Sequence, residues 1–189
     1  PLPAFYLGLG LNRREHRAEL DLPQTPHRPR RSPRRRLALE GLAAGLHDVF
    51  VREGEPLFGD PWAARDDYGR VAGAIDPAER ADFAKERSSG RGRSDRAFEL
   101  LEMERNALRL FTSCAWFFDD IAGVEARQVL RYAARALELA GPDGRALRST
   151  FRDALLEASA NDPDFETGAD VFDDVALESH GTGRGFVTP

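Results

Sequence analysis

Thr112 lies four residues before Trp116, and Asp119 and Asp120 lie three and four after it, the spacing that stacks side chains one turn apart on a helix. An indole with a hydroxyl one turn behind it and two carboxylates one turn ahead suits a carbohydrate. The ring is a flat apolar plate for a pyranose face, and the carboxylates accept hydrogen bonds from sugar hydroxyls. Glu125, just beyond the Asp119–Gly123 turn, joins them as a candidate contact residue. The competing reading is a half-buried Trp116 packed under a neighbouring helix, its indole N–H given to a carboxylate. Helix C-capping and turn formation before Gly123 is the corresponding alternative for Asp119 and Asp120.

Other groups carry weaker chemistry. Glu104 falls on the apolar face of the same helical pattern, between Leu100, Phe111 and Ala115. A carboxylate there is either paired or neutral, so Glu104 reads as a structural partner for an arginine or as a functional acid. Cys114 is the only cysteine, which excludes an intrachain disulfide and a cysteine-based zinc cage. Its place on the apolar face favours an inert buried thiol over a nucleophile. His16, His27, His47 and His180 are scattered and form no motif. Gly181-Thr-Gly-Arg-Gly185 follows no strand and does not read as a phosphate loop. No catalytic residue, metal ligand or cofactor is assigned to the chain.

The elements that must position these residues are helices. With about 100° per residue, Glu102–Asp120 separates into two faces. Leu100, Met103, Ala107, Leu108, Phe111, Cys114, Ala115 and Phe118 form a core side; Arg105, Arg109, Thr112, Trp116, Asp119 and Asp120 form a polar side. Helical pattern starts near Leu37 and carries Leu42, Leu46, Val49 and Phe50. Asp60-Pro61 is an N-cap followed by proline at the first helical position, opening a helix expected to reach about Ile75. Asp76-Pro77 repeats the device, with Glu79 placed for a capping box. After Gly123 a helix runs from about Val124 to Ala140, with Ala126, Leu130, Ala133, Ala134 and Leu137 as its core face and Glu125, Gln128, Tyr132 and Arg135 as its polar stripe, and Gly141-Pro142 ends it. A further helix carries Leu147, Phe151, Ala154, Leu155 and Ala158, Asn161–Asp164 makes a turn, and a short helix covers Asp170–Leu177. No alternating run reads as a strand. The expected architecture is all-α, an irregular bundle of about five to seven helices, with domain bounds of 37–178.

Composition sets the frame. The chain has 189 residues, 41% hydrophobic, 31% charged, with a net charge of -5, which suits a globular domain with a real core. Residues 1–36 are rich in arginine and proline and read as an extended, disordered arm; without interleaved aromatics or a binding fold it is not expected to bind nucleic acid. Residues 179–189 read as a flexible tail. No stretch is long and apolar enough to span a membrane, and a cytoplasmic location is expected. The start lacks both Met and a basic leader, as expected of a fragment of a longer protein.

The stretch Leu100–Leu139, with Thr-Ser-Cys-Ala-Trp-Phe-Phe-Asp-Asp at its centre, resembles the helical domain of unknown function that follows the barrel in a bacterial branch of glycoside hydrolase family 57, proteins labelled α-amylase or α-mannosidase-like. Asp60-Pro-Trp-Ala-Ala-Arg-Asp-Asp-Tyr68 and Ala160–Phe172 agree with it, and the likeness covers about Leu37 to Val175. It departs at Ala115 and Asn106, where the family usually has Gly and His. The resemblance implies a separate catalytic barrel with a Glu nucleophile and an Asp acid/base acting by retention. It also implies an oligosaccharide or α-glucan as ligand, and Trp116 as an aromatic lent to the sugar cleft. For Trp62, Arg65, Asp66 and Tyr68, helix packing with an Arg–Asp pair is favoured over sugar contact. A purely structural or protein-interaction module with no ligand is the alternative function.

Overall fold

Apolar residues at helical spacing and local capping signals build nearly everything in this chain. The computed structural model describes residues 33–74, 76–87, 94–112 and 120–181. Its helices are α1 (Pro33–Phe58), α2 (Pro61–Tyr68), α3 (Pro77–Arg87), α4 (Ser94–Arg109), α5 (Val124–Leu139), α6 (Asp143–Leu155) and α7 (Gly168–Gly181). A two-stranded antiparallel hairpin, β1 (Ser159–Asp162) and β2 (Phe165–Thr167), precedes α7. The fold is therefore all-α among the described residues apart from that hairpin.

The expected hinge residues do their work. Asp60 is extended and its carboxylate accepts the Ala63 N–H at 3.0 Å, with Pro61 at the first helical position, so two orphan donors of α2 are dealt with locally. Asp76 accepts the Ala78 N–H at 2.8 Å ahead of Pro77. Gly141, at φ 64°, supplies the left-handed residue that stops α5. At the start of α7 the Thr167 N–H and hydroxyl both donate to Asp170 at 2.8 Å. The hydroxyl's bond, then the backbone's, holds the Asp170 carboxyl below its usual range.

α4 lies at the centre, packed on α1 and α5, while α6 lies along α1 and α7 along α5. Its buried positions are Leu100, Leu101, Met103, Glu104, Ala107 and Leu110. Arg96 donates to the Leu139 carbonyl at 2.7 Å, so α4 and α5 are antiparallel, with the end of α4 beside the start of α5. Phe151 and Phe172 meet edge to face, 5.1 Å apart, where α6 crosses α7. Full burial of a ring such as Phe172 contributes about 1.5–3 kcal/mol.

Several expectations need correction. The stretch read as one helix from Glu102 to Asp120 is helical only to Arg109 in its described part. Leu110, Phe111 and Thr112 donate to carbonyls three residues back, the tight turning that closes a helix, and Asp120 lies outside any helix. Leu100, Met103 and Ala107 are buried as expected, but Leu108 and Phe111, also placed on the core side, are 52% and 40% exposed, and Leu101 and Leu110 are buried in their stead. α2 stops at Tyr68 instead of about Ile75, α1 already begins at Pro33, α6 ends at Leu155 short of Ala158, and α7 is longer than Asp170–Leu177. The hairpin was not expected. Its strands are four and three residues long with irregular register, too short for a period of two to register in sequence.

Candidate functional site

Three of the five residues proposed for sugar contact can be placed; Trp116 and Asp119, like Cys114, lie outside the described residues. Thr112 is exposed just past α4, and Asp120 and Glu125 are half-buried ahead of and within the first turn of α5. The antiparallel pairing brings all three to one end of the α4–α5 pair. Asp120 is the best fixed: its Oδ1 accepts the N–H of Ala122 at 3.0 Å and of Asn161, in β1, at 3.4 Å. The first bond is an Asx-turn, and the second ties the turn to the hairpin. Arg109 stacks over the Tyr132 ring at 5.2 Å, closing the polar side of the two helices.

A second cluster, at the junction of α1, α2 and α4, is one that sequence reasoning did not assemble. Glu104 on α4 is 0% exposed. His47 on α1 places Nδ1 2.8 Å from Glu104 Oε2, and Arg65 on α2 places Nη1 3.7 Å from Oε1. That second separation is an ion-pair contact too long for a hydrogen bond, so the buried Oε1 has no hydrogen-bond partner. Of the two readings left open for Glu104, pairing is what the structure shows, but with histidine as well as arginine. Arg65 donates from Nε and Nη2 to Asp66 Oδ1 at 3.0 and 2.7 Å, the Arg–Asp pair expected from sequence. Its guanidinium stands 4.7 Å over the Trp62 ring.

Trp62 is 38% exposed. His47 meets it edge-on at 5.9 Å, and Phe50 at 5.4 Å backs it from the core. The hydrogen bond to Glu104 raises the His47 pKa above 6.5; burial opposes this, and the charge of Glu104 adds to it. The result is an imidazole fixed through Nδ1 by a buried carboxylate, its side chain 36% exposed. That is a group able to gain and lose a proton without losing its orientation. One turn further along α2, buried Tyr68 donates its hydroxyl to Glu102, to which Arg105 also donates at 3.2 Å. Burial, then the Glu102 bond, pushes the Tyr68 hydroxyl's pKa upward.

The signal for the cluster was half present in sequence. A glutamate on an apolar stripe demands a cation, but His47 gives no sign that it is the one, lying 57 residues away. Among the described residues no three His, Cys, Asp or Glu side chains come together as metal ligands. Among the described residues no helix is long and apolar enough to cross a membrane.

Neither the curated proteins nor the solved structures contain a match to this chain. A family model described as Domain of unknown function (DUF3536) matches residues 28–183, a span that takes in every described element, and the chain belongs to that family.

Proposed function

We propose that this chain is an accessory helical domain of a glycoside hydrolase family 57-like, carbohydrate-active enzyme. It completes the sugar-binding cleft of a catalytic barrel that the chain itself does not contain. The ligand is an oligosaccharide or α-glucan, met by Trp116 and by Thr112, Asp119, Asp120 and Glu125. The barrel supplies the catalytic carboxylates, and this chain alone has no turnover. The reading rests on the resemblance of the Thr112–Asp120 stretch to that enzyme branch. The observation that carries it is the gathering of exposed Thr112 with half-buried Asp120 and Glu125 at one end of the α4–α5 pair, a hydroxyl and two carboxylates flanking the stretch that holds Trp116.

One observation favours the rival reading, a purely structural or protein-interaction module: Asp120 already commits Oδ1 to two backbone donors. Trp116→Ala in the intact barrel-plus-bundle protein separates the two. Loss of the sugar plate raises KM for an oligosaccharide roughly tenfold, about 1.4 kcal/mol of binding. Unchanged kcat and KM in a folded variant would overturn the proposal.

A further inference from the structure

Arg65 has three claimants. Asp66 holds Nε and Nη2, the Trp62 ring lies beneath the guanidinium, and Glu104 Oε1 waits 3.7 Å from Nη1 without a hydrogen bond. Glu104 is served by His47 instead, at 2.8 Å on its other oxygen. We propose that His47 is a proton-operated switch that decides which claimant Arg65 serves. With the imidazole protonated, Arg65 stays on Asp66 and over Trp62. With the imidazole neutral, Arg65 closes onto Glu104 and draws back from the indole.

The buried charges act in that direction, opposed only by the Trp62 contact and by an ion pair to Asp66 whose carboxylate is 69% exposed and therefore weak. A protonated His47 and Arg65 are like charges facing one buried carboxylate, and each makes the other's approach costlier. Removing the imidazole's charge removes that repulsion and leaves Glu104 with Arg65 as its single countercharge. A buried carboxylate oxygen without a hydrogen bond then exacts its full desolvation cost. Closing 3.7 Å to an ordinary hydrogen bond takes a movement of about 1 Å, within reach of a side chain on a flexible stem. The remaining charges near His47 do not reverse the sign. Asp48, next to it on α1, favours the protonated form. On α6, which packs along α1, Asp143 meets Arg52 of α1 at 2.5 Å, more than a turn along the helix from His47. The raised pKa of His47 places the working range on the alkaline side of an ordinary histidine.

What the switch controls is access to an aromatic face. Trp62 is 38% exposed, while Arg65 lies over its ring and Phe50 packs against it at 5.4 Å. Withdrawal of the guanidinium opens a flat indole surface bordered by a neutral imidazole. This behaviour does not depend on the saccharide reading of the distant α4–α5 end.

The test uses the full chain labelled with 5-fluorotryptophan. The Trp62 fluorine resonance is identified by its loss in Trp62→Phe, and its solvent isotope shift is followed between about pH 5 and pH 9, the span in which histidine titrates. The His47 ring protons are titrated in the same samples. The isotope shift of Trp62 should grow with a midpoint equal to the pKa read from His47 itself. In Arg65→Met it should be large at every pH, and in His47→Gln it should hold the alkaline value throughout. A Trp62 isotope shift that is the same on both sides of the His47 titration would overturn the proposal. So would a pH-dependent shift of undiminished size in Arg65→Met, once its circular dichroism and unfolding curve show that it is folded.

Discussion

Glu104→Gln isolates what the buried charge does, because the amide keeps the shape and one carbonyl oxygen of the carboxylate. The substitution removes a charge-assisted hydrogen bond from His47 at 2.8 Å, worth about 1.5–3 kcal/mol, and weakens the attraction of Arg65 at 3.7 Å. Against that loss stands relief from holding a carboxylate at 0% exposure, a penalty of several kcal/mol per ion before compensation. The cations left behind are not stranded: the side chains of His47 and Arg65 are 36% and 29% exposed, and Arg65 keeps Asp66. Solvent screening also trims the contribution of groups that exposed. The balance is a destabilisation of about 1–2 kcal/mol on the acid side of neutrality.

The pH dependence is the sharper part. The folded pKa of His47 is raised above 6.5, chiefly by its bond to Glu104. Folding therefore binds the proton more tightly than the unfolded chain does. The resulting stability is fully present below about pH 6.5 and is lost as pH rises through the folded value. In Glu104→Gln the main cause of the shift is gone, so that slope flattens. The difference between wild type and variant is then largest near pH 6 and shrinks toward pH 9. Urea unfolding at closely spaced pH values, compared through the midpoints at constant m, measures it. A destabilisation that stays constant across the range would refute the assignment of the slope to this pair.

Two further expectations concern the scaffold. A Cβ on Gly144 would lie 2.0 Å from the Leu137 carbonyl oxygen, whereas one on exposed Gly41 meets nothing within 4 Å. Gly144→Ala should accordingly cost about 2–3 kcal/mol by forcing α6 away from α5, and Gly41→Ala should stabilise α1 by about 0.5–1 kcal/mol. Opposite shifts in thermal midpoint check the pair. Asp60→Ala removes the side-chain cap of α2 and should cost about 1 kcal/mol, read from the same unfolding curves; no loss would mean that Pro61 alone sets the helix start.

Sequence was most informative where structure is local. Asp60-Pro61, Asp76-Pro77 and Gly141-Pro142 each mark a boundary, because a cap and the φ of a proline or glycine are decided within three or four residues. The apolar stripes of α5 and α6 were legible for the same reason, repeating over three or more turns. The end of α4 was not. Leu108 and Phe111 continue a helical spacing that the chain abandons at Leu110, and the choice between stripes is made by α1 and α5, not by α4's own residues. The hairpin failed for want of length, and Asp120's bond to Asn161 spans 41 residues. The Glu104 partnership had one local half: a charge on an apolar face announces that a partner exists but not which helix brings it.

That partnership also bears on why the junction is polar at all. α1, α2 and α4 already meet through Phe50, Ala64, Tyr68, Leu100 and Leu101, and an apolar side chain in place of Glu104 would give up little stability or gain some. Charge at this position is therefore poorly explained by cohesion. It accomplishes two things that a methionine there could not. It ties a single helix register on each of three elements to one carboxylate, since a shift along α1 or α2 takes His47 or Arg65 out of reach. It also makes the junction respond to a proton, because one of its two cations is an imidazole. α4 carries this carboxylate about 8 Å along its axis from Arg109, the last helical residue before Thr112. The titrating junction and the proposed contact end are thus carried by one helix, α4, though the switch itself moves a side chain of α2.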